Sequence, residues 1–145
     1  MKLIALMGLV VVEKIEMLEA LAQAAASRVV VIDQTRRLHA DPARLSGAEY
    51  IRLGDDLAAE LPPLLDDLEA DLLLLAVSET TPPDETFVLL DSLSASHPDL
   101  EIQTLALVDT RTCDCFPQTR QSLEASADTV VNLPADVEAI LEALA

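Results

Sequence analysis

The chain has 145 residues, of which 51% are hydrophobic and only 2% aromatic, and its formal net charge is −17. This length predicts a single domain, residues 1–145, with a core of aliphatic side chains. The negative charge argues against nucleic acid and anionic membranes as partners, because their phosphates would repel the protein. No apolar run approaches the roughly 20 residues of a membrane span. The N-terminal residues lack the pattern of a secretory signal, so a cytoplasmic protein is expected.

Apolar runs alternate with helical patterns along the chain. The predicted strands are the five apolar runs 3–7, 29–32, 71–77, 102–108 and 129–131. The predicted helices are the five patterns 13–27, 55–70, 83–96, 116–126 and 134–144. Strands that are apolar throughout are covered on both faces. The sequence therefore predicts a three-layer, doubly wound α/β domain with a mostly parallel, five-stranded sheet.

Two parts of this pattern carry further expectations. Pro62 and Pro63 fall inside the second helical pattern, which predicts a kink or two short helices, because an interior proline removes a backbone hydrogen bond. Residues 34–54 are interpreted as one long connection. In a doubly wound sheet, ligands bind beyond the carboxyl ends of the strands, so candidate sites are sought in the loops that follow them.

The first candidate site follows the first strand. A Walker A phosphate loop reads G-x-x-x-x-G-K-[S/T] between a strand and a helix. Gly8 and Lys14 match this pattern, whereas Glu13 replaces the second glycine and Ile15 replaces the hydroxyl residue. The Glu13 carboxylate would repel a phosphate, and Ile15 has no oxygen for Mg²⁺. The sequence thus predicts a degenerate phosphate loop, in which nucleotide hydrolysis is not expected.

A second candidate site is rich in arginine. Four of the seven arginines lie in the connection 34–54. Guanidinium groups bind carboxylates and phosphates through bidentate hydrogen bonds. The residues proposed for this ligand or partner loop are Asp33, Arg36, Arg37, Arg44, Arg52, Glu79 and Thr80. The alternative is that the arginines pair with neighbouring aspartates and glutamates.

Cys113 and Cys115 form the third candidate site, after the fourth predicted strand. Two thiols one residue apart can bind a soft metal such as Zn²⁺ or Cu⁺, or can form a strained disulfide. A complete zinc site needs about four ligands, so His39, His97 or the cysteines of a second copy would have to complete it. The alternative is two ordinary reduced thiols, in which case no cofactor is expected.

Three segments resemble the CobW-like metallochaperone GTPases. They are residues 1–21, residues 52–61, and residues 72–82 with Glu79 and Thr80 near their end. Pro82 replaces a glycine whose amide would contact the γ-phosphate in that family, and proline has no amide hydrogen. The family's Cys-x-Cys-Cys metal loop is absent before Arg52, and residues 108–112 stand in place of its guanine-reading motif.

The resemblance implies a P-loop NTPase-like fold more than an activity, and it also implies a homodimer. We therefore expect a non-catalytic pseudo-NTPase that acts through a protein partner or a second copy. Two alternatives remain at this stage. One is a metal-handling or thiol-redox module based on Cys113 and Cys115, and the other is nucleotide binding without hydrolysis, through Lys14 and the arginine-rich connection.

Overall fold

A computed structural model describes residues 1–109, 116–133 and 137–144. The strands are β1 Lys2–Met7, β2 Val29–Asp33, β3 Glu49–Arg52, β4 Leu72–Ala76, β5 Glu101–Val108 and β6 Thr129–Asn132. The helices are α1 Val12–Ala24, α2 Leu57–Asp67, α3 Pro83–Ser96, α4 Pro117–Ser126 and α5 Val137–Leu144, with a 3₁₀ turn at Pro42–Arg44. Among the described residues, no helix is both long enough and apolar enough to cross a membrane.

The strands form one sheet in the order β3-β2-β4-β1-β5-β6, and every neighbouring pair is parallel. Ala76 at the end of β4 is in register with Leu6 on one side and with Asp33 on the other. The carboxyl ends of β1, β2 and β4 therefore meet at one edge of the sheet. This edge is where ligands bind in doubly wound folds.

Helices cover both faces of the sheet, as the apolar strands require. Alternate residues of β1 serve the two faces: Ile4 and Leu6 pack in the core under α1 and α5, whereas Leu3, Ala5 and Met7 pack in the core under α2, α3 and α4. This alternation follows from the period of two in a strand. The expected three-layer, doubly wound architecture is confirmed.

The predicted number of strands was too small. The sheet has six strands among the described residues, all parallel, rather than five that are mostly parallel. The strand that was missed is β3, which lies within the presumed connection 34–54. It is a four-residue edge strand in which Glu49 and Arg52 are exposed while Tyr50 and Ile51 are half-buried. An edge strand of this kind has no continuous apolar run, so its sequence looks like a loop.

Of the two outcomes expected for Pro62 and Pro63, a kink or two short helices, the second does not occur. Both prolines lie inside the single helix α2, whose first turn is capped by the Asp56 carboxylate, which accepts a hydrogen bond from the Ala59 amide. Leu61 and Leu65 are buried against the sheet on either side of the prolines. Packing of this face stabilises the helix despite the hydrogen bonds that the prolines cannot make.

Candidate functional site

Gly8 begins the first loop, residues 8–11, which joins β1 to α1. Its φ is +133°, and a Cβ atom at this position would lie 2.4 Å from the carbonyl oxygen of Leu107 in β5. Such a contact is far shorter than van der Waals distance. Close packing of the loop on β5 therefore accounts for the glycine without any phosphate.

The rest of the first loop does not form an anion cradle. Backbone nests that bind anions alternate right-handed and left-handed conformations. Within residues 1–109, positive φ angles occur only at Gly8, Ser46 and Gly47. Beyond Gly8, the loop and the start of α1 therefore lack the left-handed residues of a nest. The side chain of Val10 is instead buried in the core.

Lys14 lies in the first turn of α1, and its side chain is fully buried. Its Nζ donates hydrogen bonds to the carbonyl oxygen of Gly8, at 2.6 Å, and to that of Val77, at 2.8 Å. Burial lowers the pKa of Lys14 from 10.5 to about 8, against the opposing effect of the Glu79 and Asp33 carboxylates. The ammonium group thus connects the first loop to the end of β4.

Glu13 and Ile15, the two residues that depart from the Walker A pattern, have different surroundings. Ile15 is buried and belongs to the core under α1 and α5, so this position is used for packing. Glu13 is half-buried in the first turn of α1, where the helix dipole favours a carboxylate. Neither position offers the backbone freedom or the hydroxyl oxygen of a working phosphate loop.

Asp33, at the end of β2, lies at the centre of a polar group that we call the Asp33 cluster, made of Asp33, Thr35, Tyr50 and Arg52. Asp33 and Thr35 are fully buried, whereas Tyr50 is half-buried and Arg52 is exposed. The Asp33 carboxylate accepts hydrogen bonds from the Thr35 amide and hydroxyl, from the Ala40 amide at 3.0 Å and from the Tyr50 hydroxyl at 2.6 Å. Arg52 Nη1 lies 3.0 Å from it. Arg52 also donates to the Thr35 carbonyl oxygen, so its guanidinium is directed into the cluster.

The titration of the Asp33 cluster reflects these contacts. Burial alone would raise the pKa of Asp33, but the hydrogen bonds from Thr35 and Tyr50 stabilise the carboxylate and hold the pKa below its usual value. Burial, together with the hydrogen bond to Asp33, raises the pKa of Tyr50. The donors to the carboxylate come from the loop after β2 and from β3, so this cluster fixes that loop.

The remaining arginines of the candidate loop face local acidic groups or solvent. Arg36 lies 2.6 Å from Asp55, and Arg44 lies 3.8 Å from Glu19. Arg37 is exposed. The pairs of Arg36 with Asp55 and of Arg44 with Glu19 agree with the alternative interpretation, in which the arginines bind neighbouring acidic residues. Exposed ion pairs of this kind contribute little to stability.

Glu79 and Thr80 lie in the loop after β4, beside the first loop. The Glu79 carboxylate accepts hydrogen bonds from the backbone amides of Arg36, at 3.5 Å, and Arg37, at 3.3 Å. The Thr80 hydroxyl lies 2.7 Å from that of Ser78, which is itself buried. This loop is therefore connected to the loop after β2, and the structure brings Asp33, Lys14 and Glu79 into one region.

Gln34 is a residue of this edge that the sequence analysis missed. It is fully buried, its Oε1 accepts a hydrogen bond from the Ser78 amide at 3.1 Å, and its Nε2 donates to the Gly54 carbonyl oxygen at 3.2 Å. It therefore holds three loops together. The polar run Asp33-Gln34-Thr35, directly after a β-branched strand, is the signal that could have identified it.

A cleft of about 280 Å³ opens where these loops meet. Its described walls include Gly8 and Leu9 of the first loop, Ser78 and Glu79 after β4, and Phe116 before α4. None of the described residues that line it is a lysine or an arginine, and Glu79 gives it a negative charge. The cleft therefore offers hydroxyl groups, one carboxylate and apolar surface.

Cys113 and Cys115 lie outside the described residues. Within the part of the chain that is described, no three histidine, cysteine, aspartate or glutamate side chains are grouped as a metal site would require. His97 ends α3, and its Nε2 lies 2.9 Å from Asp66 of α2. His39 is exposed.

Comparisons with known proteins support the fold. No protein-family profile matches the chain, and no curated protein matches it. Among solved structures, it is similar to the signal recognition particle receptor FtsY from Elizabethkingia anophelis, which was solved in complex with GDP, with a TM-score of 0.51 and 15% identity over 90% of this chain. The match covers 48% of the receptor, so this chain spans about half its length. The chain thus shares the P-loop NTPase-like α/β fold of this receptor. The match gives no support to the resemblance to the CobW-like family.

Proposed function

We propose that this domain keeps a P-loop architecture but has no nucleotide chemistry and acts by binding another protein or a second copy of itself. The observation that carries the proposal is the position of Lys14. Its ammonium group is fully buried and bonded to two main-chain carbonyl oxygens. In a working phosphate loop this group faces the phosphates of the nucleotide.

The charge of the cleft supports the same conclusion. Phosphoryl transfer depends on cations and backbone amides that neutralise the developing negative charge. The described lining of the cleft contains Glu79 and no lysine or arginine, on a protein whose net charge is −17. A triphosphate would meet repulsion there instead of stabilisation.

Mg²⁺ would also lack its usual ligand from the protein. In a P-loop, a serine or threonine hydroxyl oxygen holds the metal. Ile15, which is buried in the core, stands at that position. We interpret the CobW-like sequence features as ancestry. Homodimer formation and a cytoplasmic location form part of the same proposal.

Isothermal titration of the protein with Mg²⁺-ATP and Mg²⁺-GTP tests the proposal, together with an assay for released phosphate. We expect no saturable heat and no phosphate above the buffer background. The matched control is Lys14→Met, with its fold checked by circular dichroism, and it should give the same null titration. Saturable binding by the natural sequence that is lost in Lys14→Met would overturn the proposal.

A further inference from the structure

The distribution of charge along the chain is very uneven. Residues 53–100 contain none of the nine lysines and arginines but twelve of the 26 acidic residues. The twelve are Asp55, Asp56, Glu60, Asp66, Asp67, Glu69, Asp71, Glu79, Asp84, Glu85, Asp91 and Asp99. One third of the chain therefore carries a strong negative charge and contains no lysine or arginine.

The fold gathers much of this charge on one face. Helices α2 and α3 pack side by side on the same side of the sheet, and His97, which follows α3, contacts Asp66 of α2. The exposed acidic residues on or beside these two helices are Asp55, Asp56, Asp66, Asp67, Glu69, Asp84, Glu85 and Asp91. We call this surface the α2–α3 face.

The α2–α3 face also has apolar features. A groove of about 270 Å³ runs between the first turns of the two helices, with Leu57 and Leu89 among its apolar walls and Asp56 and Glu85 among its acidic ones. Val88 is 70% exposed. It lies three or four positions along α3 from Asp84, Glu85 and Asp91, and this spacing places it between carboxylates on the helix surface.

We propose that the α2–α3 face binds a lysine- or arginine-rich segment of a partner protein, with an apolar side chain of that segment on Val88 or in the groove. Charge complementarity identifies this partner, because the carboxylates of the face far outnumber the basic groups beside them, Arg36 at Asp55 and His97 at Asp66. Such a face attracts cationic chains and repels nucleic acid and anionic lipid. The apolar contacts would supply the specificity that charge alone lacks. This inference rests on the proposed function and names the surface and the chemistry of the partner.

A fluorescein-labelled amphipathic peptide of lysine and leucine is a suitable probe, with fluorescence anisotropy as the readout. Measurements at about 0.15 M salt, where the Debye length is about 8 Å, suppress long-range attraction. We expect saturable binding, and no binding of a peptide in which glutamate replaces lysine. The variant Asp84→Asn/Glu85→Gln/Asp91→Asn should raise the Kd about tenfold, and Val88→Ser should raise it about threefold.

The matched control variant is Glu16→Gln/Glu49→Gln/Glu142→Gln, which removes the same number of charges from exposed positions outside the face. Its Kd should change less than about twofold. Equal weakening by both triple variants would mean non-specific attraction, and it would overturn the inference, as would the absence of binding. Either result would leave the proposed function standing if nucleotide titrations remain null. Nucleotide binding would remove the proposed function whatever the peptide does.

Discussion

Two buried charges, the Asp33 carboxylate and the Lys14 ammonium group, lie at the carboxyl edge of the sheet. They differ in how far their hydrogen-bond partners compensate the charge. The Asp33 carboxylate receives five donated contacts, one of them from a guanidinium group, and its pKa lies below the ordinary value. The Lys14 ammonium has two carbonyl oxygens, and its pKa is lowered to about 8. The first charge is well compensated and the second only partly so.

This difference separates two ways in which a buried charge can stabilise the loops at this edge of the sheet. In the Asp33 cluster, every donor comes from the loop after β2 or from β3, so the charge fixes local structure. Lys14 instead bonds to Gly8 in the first loop and to Val77 after β4, which lies 63 residues from Lys14 in the chain. Burying an ammonium group whose acceptors are neutral carbonyl oxygens destabilises the folded state. The same two hydrogen bonds connect two loops that are distant in the sequence.

The largest expected effect comes from removing the compensated charge. Asp33→Asn removes the negative charge that faces Arg52 and replaces one of the two acceptor oxygens with an NH₂ group that can only donate. We expect the free energy of unfolding to fall by about 3 kcal/mol. Urea unfolding measures this value. Glu49→Gln is the control, since Glu49 is exposed on β3, and its effect should stay within about 0.5 kcal/mol.

Urea unfolding at acidic pH tests the contribution of the Asp33 carboxylate in a second way. Because the pKa of Asp33 is lowered from 3.8 on folding, its stabilising contribution is present above that value and is lost as the pH falls through the folded pKa. The difference between the natural chain and Asp33→Asn should therefore shrink below pH 3.8. A difference that stays constant into strong acid would contradict the role given to this carboxylate.

The next effect concerns the loop that Lys14 holds. In Gly8→Ala, the new methyl group would meet the backbone of Leu107, so we expect a loss of about 2 to 3 kcal/mol in unfolding free energy. Gly47→Ala is the matched control, because Gly47 also has a positive φ but nothing lies within 4 Å of the added atom. It should lose only about 1 kcal/mol. Equal losses would mean that close packing on β5 is not what requires Gly8.

The sequence predicted the fold better than it predicted the site, for physical reasons. Helix α3 begins at Pro83 and ends at Ser96, as expected, because proline suits a first turn and the apolar spacing is helical. Strand β3 was not predicted, because an edge strand does not need a continuous apolar run. The Walker A comparison predicted that the chain lacks a phosphate loop's second glycine and hydroxyl residue, because Glu13 and Ile15 stand in their places. It could not show what Lys14 contacts, since one of its partners, Val77, is close only in the folded chain.

The pKa of Lys14 also predicts a pH dependence of stability. Folded Lys14 loses its proton near pH 8, whereas the unfolded chain holds it until about 10.5. Between these values the unfolded state binds more protons, so the contribution of Lys14 makes the protein more stable as the pH rises. The gain relative to Lys14→Met should be on the order of 2 kcal/mol by pH 10. This effect has the opposite direction to that of a lysine in a salt bridge.

The most direct test of a structural rather than phosphate-binding Lys14 is its NMR titration, with the Cε carbon labelled, in the absence and presence of Mg²⁺-ATP and Mg²⁺-GTP. Lys14→Met assigns the signal. We expect a titration midpoint near 8 that neither nucleotide moves, because the ammonium group stays on the carbonyl oxygens of Gly8 and Val77. A midpoint that rises when nucleotide is added would mean that phosphate reaches the amine, and it would contradict the account.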